Sequence, residues 1–114
     1  MKIINYAHNK VYVHCRNGIT VSMIWGEGSY SDNGTWGKNP PVSDGWNKFL
    51  QASGTVELYI TDNPKWANKP LERLARWVCK KQGEEPYSDY PLAYVPVKLA
   101  LEFILKVSKL EEKS

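Results

Sequence analysis

The stretch Val11-Tyr12-Val13-His14-Cys15-Arg16-Asn17-Gly18-Ile19-Thr20-Val21-Ser22-Met23-Ile24-Trp25 decides the fold. Apolar and polar side chains alternate on both sides of Asn17-Gly18, a pair that favours the left-handed backbone of a tight hairpin. Two registers compete. A two-residue turn at Asn17-Gly18 sets Val13 opposite Ser22 and His14 opposite Val21, which mixes polar and apolar groups on both faces. A three-residue loop, Arg16-Asn17-Gly18 with Gly18 left-handed, pairs Cys15 with Ile19, Val13 with Val21 and Val11 with Met23. One face is then wholly apolar, and Tyr12, His14, Thr20 and Ser22 share the solvent face. The second register is the expected one.

Outward from the hairpin, Thr55 to Thr61 alternates Val56, Leu58 and Ile60 with Glu57 and Tyr59 and predicts a third strand. Met1 to Tyr6 adds a short one. Asn68 is placed to cap a helix opened by Pro70 and ended by Gly83. Along that helix Leu71, Leu74, Ala75 and Val78 share one side, while Lys69, Arg73, Arg76 and Lys80 form a basic stripe on the other. A solvated face explains such a stripe without any ligand. Glu84 to Tyr94 reads as a Pro- and Tyr-rich connector. Pro96 then opens a final helix with Val97, Ala100, Leu101, Phe103, Ile104, Val107 and Leu110, on which Leu99 and Leu105 widen the apolar arc beyond an ordinary amphipathic stripe. A helix of that kind is covered on more than one side, either as the central helix of a monomer or with a second subunit supplying part of the cover. The expectation is one α+β domain over residues 1–114: a small antiparallel sheet of three to five strands with a long aromatic loop, packed against two C-terminal helices.

Composition narrows the function classes. The 114 residues are 42% hydrophobic with a net charge of +3, a globule with mild positive charge and well short of a dedicated duplex binder. No run of about 18 apolar residues predicts a membrane span. Cys15 and Cys79 are single and distant, and the first residues lack the cationic and apolar regions of a secretory leader, so a reducing cytoplasm is expected. Chemistry is sparse. Gly26-Glu27-Gly28 lacks the rest of either phosphate-binding glycine motif. His8 and His14 are separated by six residues, no second thiol or carboxylate sits at zinc-like spacing beside Cys15 or Cys79, and no nucleophile, base and orienting acid form a set. Neither enzyme activity, nor a cofactor, nor a metal is expected.

From Ile24 to Trp46, glycines 26, 28, 34, 37 and 45 interleave with Trp25, Tyr30, Trp36 and Trp46. Glycine frees the backbone and each large ring needs burial or a partner, so this loop is either a private mini-core or a binding surface. Asp44 to Gln51 has the spacing for one helical turn. The tetrad Tyr30-Ser31-Asp32-Asn33 echoes Tyr87-Ser88-Asp89-Tyr90. Ser and Asp make turns by bonding nearby amides, which accounts for both tetrads without a ligand. The functional alternative has each supply a ring for stacking and short polar groups for hydrogen bonds.

The run Asn17-Gly18-Ile19-Thr20-Val21-Ser22, then Trp25-Gly26-Glu27-Gly28-Ser29-Tyr30-Ser31-Asp32-Asn33, then Val56-Glu57-Leu58-Tyr59-Ile60 and a terminal helix resembles small accessory proteins of bacteriophages. The resemblance covers roughly the first 60 residues and the last 20, and the tryptophan content and the basic helix depart from it. It implies a phage or prophage product in the bacterial cytoplasm that antagonises host defence by binding, and carries over no functional residue. Two modes fit. In one, a homo-oligomer sequesters a nucleotide-derived signal, with ring stacking from Trp25, Tyr30 or Trp36, polar contacts from Ser31, Asp32 and Asn33, and phosphate neutralised by Arg73 or Arg76. In the other, the protein inhibits a host defence complex, such as a CRISPR effector or nuclease, through aromatic and arginine anchors.

Overall fold

The structure, a computed structural model, describes residues 1–7, 10–25, 54–85 and 90–113. They form β1 (Lys2–Ala7), β2 (Lys10–His14), β3 (Thr20–Ile24), β4 (Thr55–Asp62), a 3-10 turn (Lys65–Ala67), α1 (Asn68–Lys81), β5 (Leu92–Pro96) and α2 (Val97–Ser108). All strand pairs are antiparallel, in the order β1-β2-β3-β4-β5. The fold is α+β, a five-stranded sheet with two helices packed on it.

The hairpin adopts the three-residue loop. Gly18 has φ +85°, Cys15 N–H donates to the Ile19 carbonyl at 2.9 Å, and Val13 lies opposite Val21 and Val11 opposite Met23. A Cβ on Gly18 would meet Pro64 Cδ at an ordinary 3.6 Å, so conformation rather than space reserves the position for glycine. The register choice has a large payoff. Val13, Ile19, Val21, Val56, Leu58 and Val95 are buried under Leu71, Ala75 and Val78 of α1 and Ala100, Phe103, Ile104 and Val107 of α2.

The helices lie antiparallel on one face of the sheet. Lys106 of α2 sits over the Trp77 ring of α1 at 4.8 Å, and α2 also packs on β4 and β5. Asn17 joins the two layers: its Nδ2 donates to the carbonyls of Val107 (2.8 Å) and Leu110 (2.9 Å), and its Oδ1 accepts from Ile19 N–H (3.2 Å). One side chain thus shapes the hairpin and adds a second bond to the Val107 carbonyl, which also accepts from Leu110 N–H at 3.1 Å, and a bond to the Leu110 carbonyl just beyond α2. At the end of α1, Gly83 has φ +72°, with Gly83 N–H on the Lys80 carbonyl and Glu84 N–H on the Cys79 carbonyl. These are the two bonds of a Schellman stop, as the glycine predicted.

Three expectations need correction. Asn68 is the first helical residue and not a cap. The turn Lys65–Ala67 makes Ala67 the cap position, without a side-chain bond, and Asn68 Oδ1 accepts instead from Asn63 Nδ2 at 2.8 Å. Part of the connector is a strand: β5 pairs Val95 with Val56 and Leu92 with Leu58, and its two flanking prolines hid it because proline in a run speaks against a strand. Both prolines stand where the ladder tolerates them, one before β5 and the other at its last residue. The solvent face is not wet throughout either. Ser22, between its cross-strand neighbours Tyr12 and Tyr59, is 1% exposed, and Thr20 is buried with its Oγ1 2.8 Å from His14 Nδ1.

Replacing Asn17 with Ala removes two donors and one acceptor from part-buried carbonyls and an amide. The expected loss is about 2 kcal/mol, or roughly 10 °C in the thermal midpoint. Asn17→Asp keeps the acceptor but sets a charge against two carbonyls, so it should melt no higher than Asn17→Ala. A melt of Asn17→Asp at the parent temperature would show that the acceptor alone matters.

Candidate functional site

Of the residues proposed from sequence, Trp25, Arg73 and Arg76 fall among those described. Tyr30, Ser31, Asp32, Asn33 and Trp36 lie outside them, as does the helical turn expected at Asp44 to Gln51. Trp25, just after β3, is half-buried and packs against the hydrophobic core. Arg73 and Arg76 are exposed on α1, and with Lys69 and Lys80 they make the stripe that the helical spacing predicted. Their geometry separates them. Arg73 lines a groove and Arg76 is not among the residues that line it.

The groove runs between the first turns of α1 and the segment that follows α2. One part, about 710 Å³, is bounded by Pro70, Arg73, Lys109, Leu110, Glu111, Glu112 and Lys113. The other, about 300 Å³, shares Pro70, Arg73 and residues 111–113 and adds Trp66 and Lys69. Antiparallel helices bring these together, since the start of α1 must then lie beside the end of α2. Asn17 holds the second wall in place by gripping Leu110.

Four cations, Lys69, Arg73, Lys109 and Lys113, face two carboxylates, Glu111 and Glu112, across this surface. Among the described residues none of the four cations is held in an ion pair. The start of α1 adds to the positive field, because no acidic residue occupies its first turn and no side chain caps it. Trp66, half-buried against the core, supplies an aromatic wall. Chemically the groove offers a ring for a flat partner and mobile donors for an anion.

Trp66, Lys109 and Lys113 were not singled out by sequence. The signal for Trp66 was local, an aromatic two residues before Asn68. The signal for the lysines was not local, since only the helix pairing brings residues 109–113 to residues 66–73.

The remaining candidates resolve into structure. Tyr90, the last member of the second tetrad, donates its hydroxyl to the Leu71 carbonyl at 2.7 Å and sets its ring against Phe103, so it is an anchor of the helix layer. Residues 87–89 lie outside the described ones. His14 stands in β2 between Tyr12 and the Thr20 hydroxyl. A pocket of about 290 Å³ is lined by Met1, Lys2, His14, Cys15 and Arg16. Burial pushes the Cys15 thiol up, the positive N-terminus opposing it less strongly, so the sulfur stays a thiol and a poor nucleophile. Among the described residues no cluster of His, Cys, Asp and Glu is arranged to hold a metal, and no helix is long and apolar enough to cross a membrane.

No family model, no curated protein and no solved structure matches the chain.

Burial, and then repulsion from Cys79, raise the Tyr90 phenol above its ordinary value. A raised acid favours the neutral form in the folded state. The stability it contributes is full below the ordinary tyrosine value of about 10 and falls as pH rises beyond it. Tyr90→Phe should therefore be less stable than the parent at pH 8 by about 1 kcal/mol, the lost hydrogen bond. Between pH 8 and pH 11 it should lose less of its urea midpoint than the parent does. Equal losses in the two proteins would mean that Tyr90 ionises freely.

Proposed function

We propose that the protein is a non-enzymatic binding module whose ligand is a small anion carrying a flat ring, of the nucleotide class, taken up in the groove between α1 and the segment after α2. The observation that carries this reading is the meeting of Trp66 with Lys69, Arg73, Lys109 and Lys113 around one concave surface. A base stacks on the indole and the phosphate meets the cations. Glu111 and Glu112 disfavour a bare polyphosphate and suit a ligand with hydroxyls or ring N–H groups beside its phosphate. With the resemblance to phage accessory proteins, the biological role is sequestration of a nucleotide-derived defence signal in the bacterial cytoplasm. This reading moves the stacking ring from the aromatic loop to Trp66 and keeps Arg73 as the phosphate cation.

A second reading has its own support. Arg76 and Lys80 carry the basic row beyond the groove, and Lys69 to Lys80 spans about 16 Å at the helical rise. That row is longer than a mononucleotide and matches an acidic face of a host defence protein.

Thermal melts against adenosine monophosphate, cyclic dinucleotides and NAD-derived molecules test the first reading. A true ligand at a hundredfold excess over its dissociation constant adds about 2.7 kcal/mol and raises the midpoint by roughly 10 °C. Trp66→Ala should cost about 1 to 3 kcal/mol of affinity. Arg73→Ala should cost a similar amount and lessen the salt dependence, while Arg76→Ala should change affinity by less than twofold. Should no nucleotide shift the melt, and a single host protein come down with the parent but not with an Arg76→Glu, Lys80→Glu variant, the second reading replaces the first.

A further inference from the structure

On α2, Val97, Leu101 and Leu105 recur every fourth residue and stand in one row along the helix. They are 37%, 50% and 53% exposed. The other flanks of α2 are occupied: the sheet lies under Ala100, Phe103, Ile104 and Val107, α1 lies beside Lys106 through Trp77, and Tyr90, just before β5, lies against Phe103. Among the described residues the row has no cover. Beside it, on the flank away from the sheet, come Lys98 and Glu102, both exposed.

We propose that this row is a homodimer contact in which α2 packs antiparallel on α2 of a second copy, the two-fold axis passing beside Leu101. The charges select both the partner and the direction. In that arrangement Leu101 meets Leu101 of the partner subunit and Val97 meets Leu105 of the partner subunit. Lys98 stands three residues before the axis and Glu102 of the partner subunit reaches one residue before it. The opposite charges are therefore separated by two residues of helical rise, about 3 Å, and the pair occurs twice. A parallel pair would set Lys98 against Lys98 and Glu102 against Glu102. The row is self-complementary only in the antiparallel sense, which is the requirement for an isologous interface. Three side chains bury less than the roughly 1,200 Å² of a standard interface, which places the dimer among the weak, concentration-dependent ones.

The proposal is independent of the groove, because none of these residues lines it. Light scattering coupled to gel filtration, from 5 to 300 μM, should show the mass rising from 13.1 kDa toward twice that value. Leu101→Asp, at a half-exposed position, should hold the mass at 13.1 kDa throughout with an unchanged circular dichroism spectrum and melt. Lys98→Glu and Glu102→Lys should each weaken association by at least fivefold, and the double variant should recover the parent behaviour. The proposal is overturned by a parent that stays at 13.1 kDa at every concentration, which leaves the row to another segment of this chain or to a different protein. It is equally overturned if Leu101→Asp dimerises like the parent, or if the double variant associates no better than the single ones.

Discussion

Asn17 is the point at which the sheet and the helices become one structure. A hairpin loop of three residues needs a left-handed Gly18, and the Asn17 Oδ1 bond to Ile19 N–H holds the residue before it in place. The same amide reaches across to the Val107 and Leu110 carbonyls at the end of α2 and just beyond it. Without that link the sheet's apolar face and the helix above it would still attract each other, but hydrophobic attraction has no direction. The two Nδ2 bonds fix where along the sheet α2 stops. They also position the segment after α2, and with it the Lys109 and Lys113 side of the groove.

The parts of this fold that were legible in the sequence are those governed by period and by local conformation. The hairpin register followed from demanding one apolar face, and the end of α1 followed from a glycine that can enter the left-handed region. The parts that were not legible depend on what a segment packs against. Nothing local distinguishes Leu92–Pro96 from a proline-rich connector, and it is a strand because β4 offers a free edge with Val56 and Leu58. Asn68 has the right chemistry for a cap and was displaced by one turn of 3-10 helix that begins at Lys65. Ser22 obeyed the alternation and was still buried, with a hydroxyl that finds no partner among the described residues. Alternation assigns a residue to a face and says nothing about whether that face meets water.

For the candidate site the division is similar. The basic row on α1 could be drawn on a helical wheel, because its members are close in sequence. The groove could not, because its walls are separated by about forty residues of chain and meet only through helix pairing. Aromatic density drew attention to the region around Trp25 and Trp36, where ring content is high. The described Trp25 packs against the core, as Trp66 does, and the ring that also borders the groove is Trp66, which sits singly between Pro64 and the start of α1.

The strand order has a consequence for how the chain reaches this structure. Each strand pairs with the one made just before it, so β1 to β4 can assemble by short-range hairpin closure and by closing one longer loop, with little entropy lost to distant contacts. Their shared apolar face, however, is finished only by α2, and β5 joins immediately before it. During synthesis on a ribosome β1 to β4 can therefore be paired well before α2 completes their cover, and through that interval the part of the apolar face that α2 will bury is open to any other apolar surface. The last helix to be made is the one that closes the core, so folding is committed late however early the hairpin forms.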